Sequence, residues 1–70
     1  MGSFMKDVYD EYWEIFNLVN NFFQDPVKTT MWMEQPNTLL GGLIPSNMIA
    51  SGRGHKIRGY IDNANLGRHT

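Results

Sequence analysis

An all-α fold of three to four helices, broken by one structured Pro/Gly loop, is what this 70-residue sequence predicts. Three observations carry that expectation. Apolar residues in the first third recur at steps of three and four, the period of a helix face. Acid-Pro and Gly signals punctuate the rest where helices start and stop. Alternation of β-branched residues, the mark of a strand, is missing.

The first helix is expected from Ser3 to Phe23, within a segment covering residues 1–24. Ser3 is the candidate cap, with Lys6 instead of Glu or Gln at the capping-box position. Met5, Val8, Tyr12, Ile15, Phe16, Val19, Phe22 and Phe23 form the apolar stripe. Asp7, Asp10, Glu14, Asn17 and Asn21 form the polar face, while Tyr9, Trp13 and Leu18 lie off the stripe and widen it. Asp25-Pro26 opens a second helix reaching about Gln35, with Val27, Met31 and Trp32 expected inward. Thr29 and Thr30 are poor helix formers there, so packing must support it. Pro36-Asn37 turns the chain, and Gly41-Gly42 permits backbone that other residues follow poorly. Leu39, Leu43 and Ile44 either close the core or present an apolar contact. Pro45 starts a third helix to Ser51, burying Met48 and Ile49, and Gly52 ends it. A fourth helix from Gly54 to Asn65 buries Ile57, Tyr60 and Ile61. Gly67 stops it, and residues 67–70 form a tail.

One domain is the most that this length supports, and a small one stabilised only marginally. Nine aromatic side chains in so short a chain point to a partner surface, and a homodimer is expected on size and composition. The absence of Cys excludes disulfides and thiolate metal sites and fits a cytoplasmic setting. Neither a signal peptide nor an apolar run of membrane-span length is visible, and Lys6 breaks the myristoylation pattern. Charge is uneven. In residues 1–25, Lys6 against Asp7, Asp10, Glu11, Glu14 and Asp25 leaves −4; in residues 53–70, Arg53, Lys56, Arg58 and Arg68 against Asp62 leave +3. Solvated faces explain this, as does a basic end suited to an acidic or phosphate-rich surface.

Catalytic and cofactor signatures fail on spacing. Gly52-Arg53-Gly54 lacks the third Gly of a dinucleotide loop. Gly54 and Gly59 have P-loop spacing, but Tyr60 stands where Lys is required. His55 and His69 have no carboxylates at ligand spacing. Ser46 and Ser51 lie near helix ends and read as caps. Glu11 and Glu14 read as a solvated i, i+3 pair with nothing to desolvate them. No enzyme, cofactor or metal is therefore expected. The loop from Pro36 to Ile44 is too long and apolar for a helix-turn-helix, so direct nucleic-acid binding is not expected either.

Trp32, Pro36, Asn37, Leu40, Gly42 and Pro45, followed by Ile49, Gly52 and a helix carrying Ile57 and Ile61, resemble the toxin-binding domain of the Xre/MbcA/ParS antitoxin family. The resemblance spans about residues 25–66. Ile44 departs from the pattern, since a polar or small residue usually precedes the Pro. The resemblance implies a RES-type, NAD-consuming toxin as partner, neutralised by covering its active-site entrance with the C-terminal part of the antitoxin. Carried onto this chain, the candidates are Arg53, Lys56, Arg58, Tyr60, Asn63, Asn65, Arg68 and His69. Arg suits a pocket built for pyrophosphate because it pairs bidentately with carboxylates that line such a site. Antitoxins of this family usually carry a DNA-binding domain ahead of this part. About 25 residues before Pro26 are too few for one, so a stand-alone or shortened version is expected. The alternative is a small phage or mobile-element inhibitor that uses the same fold on a different host enzyme or defence complex. Its contact residues are Asp7, Asp10, Glu11 and Glu14. Charge reversal at Asp10 and Glu14 against reversal at Arg58 and Arg68 is the expected discriminator.

Overall fold

A computed structural model describes residues 7–64. Four α-helices fold into one small bundle: α1 Val8–Phe23, α2 Pro26–Glu34, α3 Pro45–Ala50 and α4 Gly54–Ala64, with a single 3₁₀ turn at Thr38–Leu40 between α2 and α3. No strand occurs among the described residues, as the sequence led one to expect.

α1 starts later than expected. Asp7 is extended (φ −66°, ψ 142°) and its carboxylate accepts the Tyr9 N–H at 3.3 Å, so a helix cannot run through it from Ser3. Asp is among the best caps, and Asp10 and Glu11 fill the first turn with the negative charge that a helix N-terminus favours. The proposed Ser3 cap, Met5 and the tail at 67–70 lie outside the described residues. The helix ends at Gln24, whose left-handed conformation (φ 53°) turns the chain while its N–H bonds the Asn20 carbonyl. One residue later Asp25 caps α2 by accepting from Val27 N–H at 3.0 Å, with Pro26 at the first helical position.

The core is built from Ile15 and Val19 of α1, Met33 of α2, Met48 and Ile49 of α3, and Ile57 and Ile61 of α4. Tyr12, Phe16, Leu18, Phe23, Trp32, Leu40 and Tyr60 pack around it. Leu18, off the expected stripe, therefore joins the core, while Val8 and Phe22, on the stripe, stay exposed.

α2 turns a different face inward from the one expected. Val27 and Met31 are 67% and 51% exposed, and the buried pair is Thr29 and Met33. Both pairs have the i, i+4 spacing of a single face, and a shift of two residues rotates a helix by about 200°. The apolar residues of α2 point nearly all round, so local sequence leaves its phase open. Burial of Thr29 is tolerated because its hydroxyl sits 2.7 Å from Asn20 Oδ1 and 3.0 Å from the Asp25 carbonyl, which satisfies a group otherwise costly to bury.

The loop between α2 and α3 is organised by Asn37. Its side chain accepts from Leu39 N–H at 2.8 Å, and its carbonyl accepts from Leu40 and Gly42 N–H. Its own N–H donates to Leu43 O at 3.0 Å, closing a small antiparallel bridge. Gly41 and Gly42 sit at φ 74° and 81°, a region that residues with a Cβ rarely occupy. Leu40 is turned onto the core, and Leu39 and Leu43 face solvent. Ile44 offers α3 no side-chain cap, since its side chain carries no hydrogen-bonding group. α3 ends in a Schellman motif, with Gly52 N–H to Ile49 O at 3.0 Å and Arg53 N–H to Met48 O at 2.7 Å.

Candidate partner-binding surface

The residues singled out on α4 do not form one surface. Arg53 precedes the helix, exposed, with its Nε–H donating to Ser51 Oγ at 3.2 Å. Lys56 and Asn63, seven apart and hence on one helical face, are both exposed. Tyr60 points toward α2, where its ring stacks on Trp32 at 6.5 Å between centroids and 19° between planes. Arg58 points toward α1. Asn65, Arg68 and His69 lie outside the described residues.

Arg58 is engaged inside the chain. Its Nε–H and Nη2–H donate to the two oxygens of Glu11 at 3.1 and 3.0 Å, a bidentate fork, and Nη2 also reaches Glu14 at 2.6 Å. Bonds of this charged, planar kind are the strong ones. Hydrogen bonding to Glu11 is the main cause that holds the Arg58 guanidinium above the ordinary arginine range; burial opposes it and Glu14 reinforces it. The Glu11 side chain is only 18% exposed, against 49% for Glu14. The expectation of a solvated carboxylate pair is therefore corrected for Glu11: the start of α4 and Arg58 both press on it.

Gly54 belongs to the same arrangement. It is buried, and a Cβ there would stand 2.5 Å from Glu11 Oε2 and 3.0 Å from its Cγ. A side chain there would displace the Glu11 carboxylate, so Gly54 is a packing residue as well as a helix restart. The Glu11 carboxylate consequently lies over the first turn of α4, where the helix dipole favours negative charge. Beside it Val8, Glu11, Ile49, Gly52, Gly54, His55 and Arg58 line an open cleft of about 430 Å³. Its cationic features, Arg58 and the helix end, already face a carboxylate.

A second polar cluster joins three helices. Glu34 at the end of α2 accepts the Tyr12 hydroxyl of α1 at 3.1 Å and the Ser46 hydroxyl of α3 at 2.9 Å. Ser46 thus ties α3 to α2 and is not a cap, a correction to the sequence reading. Burial first, then the hydrogen bond to Glu34 and its charge, push the Tyr12 phenol above its usual value of 10.0. Ser51 bonds back to the Met48 carbonyl at 3.1 Å.

Sequence reasoning undervalued Tyr9 and Trp13. They continue a chain of rings along α1: Trp13 meets Tyr9 at 6.2 Å, Tyr12 at 5.2 Å and Phe16 at 5.1 Å, all edge-on. Yet Tyr9 is 67% and Trp13 42% exposed. Their position beside the stripe was visible in the helical spacing. What was not visible is that Tyr12 is tied to α2 through Glu34 while Tyr9 and Trp13 stay exposed. Among the described residues, no group of three or more His, Asp or Glu could hold a metal ion, and no helix is long and apolar enough to cross a membrane. Comparisons with protein-family models, with curated proteins and with solved structures find no match.

Proposed function

We propose that this chain is a protein-binding module of the antitoxin toxin-binding type. Its partner would be a RES-type enzyme that consumes NAD, blocked at its active-site entrance by the basic face at the start of α4 and the segment beyond it. The observation that carries this reading is the loop from Pro36 to Pro45. Four of the five motif residues in it support the reading: Asn37 holds the turn together, Leu40 packs on the core, Gly42 takes the left-handed conformation and Pro45 opens α3. Trp32 of α2 and Tyr60 of α4 stack at the edge of the same core. Arg53 and Lys56 remain exposed to meet a carboxylate-lined entrance.

The internal pairing of Arg58 changes how the reading is tested. Reversing Arg58 breaks its bonds to Glu11 and Glu14, and reversing Glu14 damages the same cluster, so neither variant reports on a partner alone. Arg53 and Lys56 on one side, and Asp10 on the other, are the informative positions. The tagged chain is used to capture proteins from a bacterial lysate, and NAD hydrolysis by any recovered enzyme is measured with and without the chain. Recovery of a RES-type enzyme that the chain inhibits, with Arg53→Glu plus Lys56→Glu relieving inhibition and Asp10→Lys leaving it intact, is expected. Recovery of a different host enzyme or defence complex, sensitive to Asp10→Lys, would replace this reading with the phage-type inhibitor.

A further inference from the structure

We propose that the Tyr9–Trp13 ridge of α1, edged by Asp10, is a second docking surface, for a protein partner whose contact face carries arginine side chains set among apolar residues. The ridge is apolar, exposed and already ordered. Trp13 is held by three neighbouring rings, and Tyr12, which anchors them, is tied through its hydroxyl to Glu34. A large aromatic fixed in place before binding loses little freedom on contact, which is the character of an interface anchor.

Charge selects the partner. α1 contains no Lys or Arg between Val8 and Phe23. Asp10 and Trp13 are three residues apart and so neighbours on the helix surface, with Asp10 exposed. On the opposite edge, Glu34 holds the Tyr12 hydroxyl. An apolar surface edged by carboxylates on both sides fits a partner that brings cations with its apolar groups. Arg meets both demands, because its planar guanidinium stacks on Trp and Tyr faces and pairs with carboxylates.

A second copy of this chain fits less well. Two α1 helices crossed at Trp13 would bring each Asp10 close to its twin. The area is also short: wholly covered aromatics bury about 150–250 Å² each, so two partly exposed rings supply roughly 500 Å² in a pair, against at least about 1,200 Å² for a stable dimer. The ridge is an anchor only, and a stable complex also covers further surface of this chain.

The test exploits the two tryptophans. A ¹⁵N-labelled chain is titrated with the capped peptide acetyl-Arg-Leu-Leu-Arg-amide, and separately with its Glu counterpart, while the two indole N–H signals are followed. The expected result is a saturable shift of the Trp13 indole with the Arg peptide, little change at Trp32, and loss of the shift in about 1 M salt, where exposed charges are screened. Asp10→Lys should weaken binding about tenfold or more, while Lys56→Glu leaves it unchanged. Trp13→Ala, followed through the Asp10 amide, should do the same as Asp10→Lys, and circular dichroism confirms that both variants remain helical. Equal shifts with the Glu peptide, no shift at all, or a Trp13 shift that depends on protein concentration without peptide would overturn the proposal, the last in favour of a second copy. None of these readouts involves a toxin, so the outcome is separate from that of the toxin reading.

Discussion

The two flanks of α1 solve opposite problems. On the flank facing α4, acidic side chains that the sequence presents as solvent-facing are met inside the chain: Glu11 and Glu14 hold Arg58, and Gly54 makes room for Glu11. On the other flank, aromatic side chains that the sequence presents as a widened core stripe are left half in water, Tyr9 and Trp13 above all. The charged flank is finished and the aromatic flank is not. A small bundle has too little mass to cover every apolar side chain, and an uncovered ordered ridge marks where another molecule fits. Residue type is thus a poor guide here to which side chains serve the fold and which serve a partner.

The comparison is broken most severely from the line between the flanks. Ile15 is fully buried there, and Ile15→Ala is expected to cost about 2–5 kcal/mol. A domain of this size holds roughly 3–5 kcal/mol of stability, so thermal melting by circular dichroism should show the variant largely unfolded at room temperature. Next comes the charged flank. Arg58→Ala should cost about 1–3 kcal/mol in urea unfolding, because it removes three charge-assisted bonds between α4 and α1. Gly54→Ala should cost about as much by pushing Glu11 off the fork, and the cost should largely vanish in a Glu11→Ala background. Additive losses in that double mutant would mean that Gly54 matters for its backbone alone.

Smaller effects sharpen the aromatic side. Tyr12→Phe should cost about 0.5–1.5 kcal/mol at neutral pH through the lost bond to Glu34. The folded chain holds the Tyr12 proton more tightly than the unfolded chain does. Its contribution is therefore complete below pH 10.0 and is lost as pH rises through the raised folded value. Stability of the parent chain should fall more steeply above pH 10.0 than that of Tyr12→Phe, as read from urea midpoints across alkaline pH. Smallest of all, Tyr9→Ser should shift the urea midpoint by no more than about 0.5 kcal/mol equivalent, since that side chain is mostly in solvent. A loss as large as that of Arg58→Ala would show that the ridge serves the fold and would remove the case for a docking surface.

Local chemistry made much of the fold legible. Asp25-Pro26, Pro45 and Gly52 mark helix ends wherever they occur, because their backbone preferences and capping bonds involve only near neighbours. The same holds for the Asn37 loop, whose bonds all close within seven residues. The strong period of α1 and α4 also placed Ile15, Val19, Ile57 and Ile61 inward. The candidate site was legible only in part: Arg53, Lys56 and Asn63 could be named as exposed polar groups, but nothing near Arg58 in sequence indicates that its partners lie 44 and 47 residues away.

By itself the sequence determined an all-α chain, the helix boundaries from Phe23 to Gly54 to within a residue, the place of the Pro/Gly loop and most of the core. Tertiary structure alone decided the phase of α2, which buries Thr29 instead of Val27, the pairing of Arg58 with α1, and the exposure of Trp13. The physical reason is common to all three. A helix fixes which residues share a face, whereas the partner available to that face is set by how helices cross, and crossing depends on the summed fit of side chains distant in sequence.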